Sequence, residues 1–223
     1  MTTHSHAAGL TGLAELATDL AVDGRRAILG VAGAPGAGKT TFVEALIAEV
    51  ARIHGPSWVA HLPMDGFHLA DTQLQRLDAV SRKGAADTFD GYGYTHTLRR
   101  IRAHTDEDIY VPGFERALEQ PIAAALLIPH SARLIVTEGN YLLLDQQPWT
   151  RARAELNQVW YVATDHDVRI NRLIDRHIRF GKTLAAAAEW ATTSDEKNAE
   201  LVAATSRLAD RVIINAPHGW LTK

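Results

Sequence analysis

The stretch Gly33-Ala34-Pro35-Gly36-Ala37-Gly38-Lys39-Thr40 satisfies every fixed position of the pattern G-x-x-x-x-G-K-[ST]. It lies between the apolar run Ala27–Ala32 and a segment in which Val43, Leu46, Ile47, Val50 and Ile53 recur at helical spacing. Strand, glycine loop and helix are thus predicted in the order the pattern needs. Glycines let successive backbone N–H groups turn inward around an anion without a Cβ in the way. The helix that follows adds unsatisfied N–H groups and the positive end of its dipole. Gly33 to Thr41 are therefore candidate phosphate-binding residues. Lys39 is placed to reach β- and γ-phosphates, and the Thr40 hydroxyl to ligate Mg²⁺. Average residue usage produces the pattern by accident in roughly one chain of this length in a hundred, and the flanking elements make accident rarer still.

The rest of the composition narrows the partners. A chain of 223 residues with 46% hydrophobic content suits one α/β domain, 1–223, with a small lid. The net charge is −3 and no long basic run occurs, so nucleic acid is not expected as a partner. Cysteine is absent, which excludes disulfides and thiolate chemistry. No apolar run reaches membrane-spanning length, and Met1–Ala8 lacks the pattern of a signal peptide, so a cytoplasmic protein with no membrane partner is expected. His4 and His6 sit on a terminus expected to fray and are not read as a metal site.

Leu10–Leu20 reads as an amphipathic helix, and Trp58–Met64 as a second strand. That strand runs into Asp65-Gly66-Phe67-His68. Ligands of open α/β sheets bind beyond the carboxyl ends of the strands, so Asp65 is expected on the same rim as the glycine loop. Helices are predicted over Asp71–Val80 and Thr95–His104, with a polar loop between them that includes Lys83. Asp108–Val111 is short and extended, Phe114-Glu115-Arg116 reads as a substrate-facing loop, and Ile122–Ile128 is compatible with strand or helix. Arg133–Thr137 is a strand that closes on Glu138, a second carboxylate on the rim and a candidate Mg²⁺ ligand with Thr40.

Val159–Ala163 is a further strand, and Asp165 a candidate cap for the helix after it. In that helix Ile170, Leu173, Ile174, His177 and Ile178 are read as the inward face. Arg169, Arg172, Arg176 and Arg179 share the other face, which is either a solvated surface or a lid over phosphates. Helices over Leu184–Ala191 and Ala199–Leu208, a polar break at Thr192–Lys197, and a last strand Arg211–Ile214 complete the chain. About five strands alternating with helices predict a parallel sheet wound on both faces, with a small helical lid at about 169–195.

These segments together resemble the uridine kinase, phosphoribulokinase and bacterial pantothenate kinase superfamily of P-loop kinases. The likeness rests on the Walker A stretch Gly33–Thr41, on Met64-Asp65-Gly66-Phe67-His68, on Arg82-Lys83-Gly84, on Thr137-Glu138-Gly139-Asn140-Tyr141-Leu142-Leu143-Leu144 and on Arg176–Thr183. Met-Asp-Gly-Phe is similar to the pantothenate kinase version. Glu-Gly-Asn-Tyr-Leu-Leu-Leu resembles a subgroup described as fructose-transport-system kinases or nucleoside/nucleotide kinase family proteins. The Tyr-Asp-Phe and His-bearing loop of uridine kinases is replaced by Phe114-Glu115-Arg116. The resemblance implies a P-loop NTPase fold and transfer of the ATP γ-phosphoryl group to a hydroxyl of a sugar, nucleoside or pantothenate-like alcohol. By the same resemblance Asp65 would be the base that orients the acceptor hydroxyl. Lys39 and Arg176 would serve catalysis, and Arg179 the nucleotide. Lys83, Arg116 and Glu138 would contact the acceptor, with ATP and Mg²⁺ as cofactors. A small-molecule acceptor is the partner expected, and a homodimer the assembly considered. A nucleotide-dependent switch without an acceptor is the alternative, although neither an Asn-Lys-x-Asp nor a Ser-Gly-Gly segment of such proteins occurs.

Overall fold

The structure, a computed structural model, describes residues 9–104, 106–216 and 219–222. His4 and His6 lie outside the described residues. Strand β1 (Ala27–Ala32) is buried along its whole length. It sits inside a six-stranded sheet with β2 (Val59–Pro63), β5 (Leu134–Glu138), β6 (Gln158–Ala163), β7 (Arg211–Ala216) and β8 (Gly219–Thr222), in the order β2-β5-β1-β6-β7-β8. The first five strands run parallel, as the alternation of strands and helices predicts, and β8 closes the edge antiparallel to β7.

Successive residues of β1 feed opposite faces. Leu29 and Val31 pack with Phe42, Val43, Leu46 and Val50 of α2 (Lys39–His54) and with Leu13 and Ala17 of α1 (Leu10–Thr18). Ile28 turns to the other face and its cluster with Tyr94, Leu98 and Ile101 of α4 (Gly91–Ala103) and Trp149 of α5 (Trp149–Arg153). Cores on both faces explain why the parallel strands read as continuous apolar runs.

Several local expectations shift. The helix predicted over 95–104 starts at Gly91, because the Asp90 carboxylate caps it by accepting from the Gly93 N–H at 2.7 Å. The helix predicted over 71–80 is only α3 (Asp71–Arg76), and the chain turns at Asp78 with φ +50°. Ile122–Ile128 belongs to β4 (Gln120–Ile128), paired antiparallel with β3 (Ile109–Glu115). Phe114 and Glu115 are therefore strand residues, and only Arg116 reaches the hairpin turn. Asp165 caps α6 (His166–Arg179) as predicted, accepting from the N–H groups of Asp167 and Val168. The polar break predicted at 192–197 shrinks to one residue, Thr193, between α7 (Leu184–Thr192) and α8 (Ser194–Ala203). Strand β8 was not predicted; it is held by Trp220, whose ring lies 5.0 Å from that of Phe42. Among the described residues no helix is long and apolar enough to cross a membrane.

Candidate active site

Sheet register sets the site. Val31 and Pro63 are both level with Glu138 across the neighbouring strands. The glycine loop leaves β1 one residue after Val31's neighbour Ala32, and Asp65 follows Pro63 by two, so the three predicted elements meet on one rim. The loop is tight where glycine is required. Gly38 has φ +90°, and a Cβ on it would stand 2.5 Å from the Asn215 amide nitrogen. A Cβ on Gly36 would meet the Arg169 carbonyl oxygen at 2.8 Å, so α6 crosses directly over the loop.

The loop forms one end of a cleft of about 700 Å³. Lys39, Thr40, Asp65, Glu138 and Arg176 all line it, as do Lys83 and Arg116. The Lys39 ammonium donates to the carbonyl oxygens of Gly33 and Ala34, at 3.0 and 3.2 Å, and to Asn140 Oδ1 at 2.6 Å. Burial lowers its pKa to about 8, although Glu138 and Asp65 pull the other way. The Thr40 hydroxyl donates to Glu138 Oε2 at 3.1 Å. Burial raises the Glu138 carboxyl to about 7, against the attraction of Lys39.

Asp65 is differently placed. Burial pushes its pKa up, but His68, Arg116, Lys39 and Arg176 together outweigh that and leave it below the ordinary value. Arg116 donates to Asp65 Oδ2 at 2.8 Å, with its guanidinium 5.0 Å from the Phe114 ring centre. His68 Nε2 lies 3.8 Å from the other carboxylate oxygen, and the His68 ring packs against Phe89 with centroids 4.0 Å apart and planes tilted by 31°. Burial lowers the His68 pKa to about 4, so it is neutral at pH 7.

These arrangements sort the candidates. Lys83 lines the cleft, but its ammonium is engaged by Asp71 Oδ1 at 2.7 Å and by the Glu119 carbonyl oxygen, which ties the 77–90 loop to the hairpin. Arg179 is exposed and does not line the cleft, although His177, Phe180 and Lys182 on either side of it do, so its side chain leaves the helix on a different face. The face split predicted for α6 also changes. Arg169 is 5% exposed, bound to Glu196 and the Pro35 carbonyl oxygen, whereas Ile178 is 42% exposed. The arginine face turns toward the loop because α6 starts at the rim and runs across it; Arg172 and Arg176 reach the cleft and Arg169 is covered.

A family model described as phosphoribulokinase / uridine kinase matches residues 28–218. The chain belongs to the phosphoribulokinase / uridine kinase family. Membership implies ATP-dependent phosphoryl transfer. The chain is 32% identical over 186 residues to "Putative uridine kinase C227.14" of Schizosaccharomyces pombe, covering 82% of this chain and 78% of that one. It is 30% identical, with a TM-score of 0.79, to the crystal structure of a "putative fructose transport system kinase" from Silicibacter sp. TM1040, covering 89% of this chain and 95% of that one. YFH7 of Saccharomyces cerevisiae has the same TM-score at 19% identity, covering 94% and 100%, which speaks for the fold alone.

In this family member the cleft also contains residues to which the sequence reading assigns no role, two of them, Asn140 and His68, inside the quoted motifs. Asn140 and His68 could have been noticed, since each stands within three residues of a singled-out carboxylate. Trp190, Asp195 and Asn198 line the cleft from α7 and α8. Asp195 is 8% exposed and binds His177 Nε2 at 2.7 Å. No local pattern marks them, because their position depends on how three helices fold back over the loop.

Proposed function

We propose that the protein transfers the γ-phosphoryl group of Mg²⁺-ATP to a hydroxyl of a small metabolite. One observation carries this reading: a charged, partly exposed aspartate shares a single cleft with the phosphate-loop lysine, threonine and the strand-end glutamate. Phosphoryl transfer needs positioning and charge neutralisation more than covalent help, and this set supplies both. Asp65 accepts a hydrogen bond from the acceptor hydroxyl. The acceptor oxygen bonds to the γ-phosphorus as the bond to the ADP oxygen breaks, and the hydroxyl proton passes to Asp65. Lys39, Arg172 and Arg176 face the phosphate chain. Thr40 and Glu138 offer two hard oxygen donors for Mg²⁺, which would neutralise phosphate charge. Among the described residues no three His, Cys, Asp or Glu side chains converge as a preformed metal cage. That fits an ion arriving with its nucleotide and keeping water and phosphate ligands.

Helices α6–α8 serve as the lid of a single kinase domain. The acceptor end combines the aromatic rings of Phe89 and Phe114 with the polar Ser81, Arg116 and Glu119. Such walls suit a small polar alcohol, and two relatives are named for a nucleoside and for a sugar-transport context. The test is ADP release from Mg²⁺-ATP against nucleosides, sugars, sugar phosphates and pantothenate. Asp65→Asn should keep ATP binding and lose at least about 100-fold in turnover. Turnover within tenfold of wild type, about 1.4 kcal/mol in barrier, would show that Asp65 is not the base.

A further inference from the structure

Lys39 has three N–H donors and no acceptor. All three are used within the protein, by Gly33 O, Ala34 O and Asn140 Oδ1. Because an ammonium only donates, the amide must present its oxygen, so the orientation of Asn140 is fixed by chemistry. A saturated ammonium cannot receive a phosphate oxygen without releasing a partner. Two of its partners belong to the loop itself. The third comes from the opposite wall, and its bond is the shortest of the three.

The turn that carries Asn140 is built closely. The Gly139 N–H donates to the Val31 carbonyl oxygen at 3.0 Å, and a Cβ on Gly139 would stand 2.4 Å from Met64 Sδ. That packing carries the next residue directly from the end of β5 to the cleft, where Asn140 lines the wall with Asp65 and Glu138. The residue type also matters. A neutral amide oxygen orients the ammonium while leaving its full charge for phosphate; a carboxylate there would compete for it.

We propose that Asn140 is a positioning residue that acts through Lys39. Its Oδ1 holds the ammonium at the cleft wall, and arriving phosphates replace the two loop carbonyls while the Asn140 bond persists. This rests on the reading of the loop as the ATP site.

The test is a double-mutant cycle on Mg²⁺-ATP affinity, measured by calorimetry without acceptor, using Asn140→Ala, Lys39→Met and both together. Asn140→Ala should weaken binding about tenfold or more in the wild-type background. The same change should have less than a twofold effect once Lys39 is Met. A merely structural role would weaken binding equally in both backgrounds, and that result, or no effect in either, overturns the proposal. Asn140→Asp keeps the size and the acceptor and guards against misfolding of the alanine variant. It should also weaken ATP about tenfold with no loss in Tm, because the carboxylate competes for the ammonium; unchanged affinity there counts against the proposal. If wild type itself fails to bind Mg²⁺-ATP, the ATP-site reading falls and this inference with it, an outcome distinct from binding without coupling.

Discussion

Glu138 opposes folding in order to serve the site, and replacing it should reveal the cost. The side chain is 8% exposed at the end of a buried strand. Burial lifts its pKa from 4.5 to about 7. A raised carboxyl pKa means that the folded state binds the proton more tightly than the unfolded chain does. Stability from this group is therefore fully present below pH 4.5 and is lost progressively as pH rises to 7, after which the loss is constant. A gap of roughly 2.5 pH units at about 1.36 kcal/mol each amounts to about 3 kcal/mol above pH 7. At pH 5 the same group costs less than about 1 kcal/mol, since that pH lies only about half a unit above the unfolded-chain value of 4.5.

Glutamine keeps the shape and cannot ionise. Without ligand, Glu138→Gln should therefore be more stable than wild type, by about 3 kcal/mol at pH 8 and under about 1 kcal/mol at pH 5. For a chain of this size the difference between the two pH values corresponds to about 5–10 °C in Tm. Thermal unfolding of both proteins at pH 5 and pH 8, with chelator present, measures it. Titrating groups that do not face Glu138 cancel in the comparison; Lys39, whose pKa Glu138 holds up, and His61, 3.9 Å from the Glu138 carboxylate, do not, and the further lowering of the Lys39 pKa trims the gain at pH 8. The same variant should lose the additional thermal protection that Mg²⁺ gives with ATP. A Tm difference that is equal at the two pH values, or a glutamine variant less stable than wild type at pH 8, would refute the assignment of a burial-strained carboxylate.

Other consequences are simpler. Arg26 is 7% exposed and directs all five of its N–H groups at the carbonyl oxygens of Ile101, His104, Pro129, His130 and Ala132. Arg26→Lys leaves at least two of these without a donor and should cost on the order of 2–3 kcal/mol by denaturant unfolding, because water reaches only some of them. Gly38→Ala forces a Cβ into the Asn215 amide at a left-handed backbone position; nucleotide binding should fall by more than about 100-fold, roughly 2.7 kcal/mol, while melting in the absence of ligand changes far less. Arg176→Met removes a cleft cation that has no acidic partner among the described ion pairs, and should lower kcat more than it raises the KM for ATP, as seen in steady-state kinetics.

What the sequence made legible, and what it left hidden, follow from how each feature is encoded. The glycine loop, Asp65 and Glu138 could be placed together because each ends an apolar run, and parallel strands bring their carboxyl ends to one rim whatever their order. Periodicity failed where a residue answers to a neighbour outside its own element. Arg169 has the spacing of a solvated face, yet it is buried because α6 crosses the loop at Gly36, where no Cβ intervenes. Lys83 has the charge of a phosphate or substrate contact, but Asp71 and the Glu119 carbonyl oxygen, 12 and 36 residues away, bind it. Ile122–Ile128 could not be distinguished as strand or helix because a short continuous apolar run has neither period; its partner strand is itself irregular, with the register shifting between Val111 and Gly113. The irregularity also has a use. It brings the Pro112 carbonyl against Gly66, where a Cβ would stand 2.4 Å away. Gly66 therefore lets the hairpin close on the turn that bears Asp65. The ion pair between Arg116 and Asp65 follows from that close approach. The glycine beside the aspartate and the arginine 50 residues later are one structural decision, made by two segments that no local pattern connects.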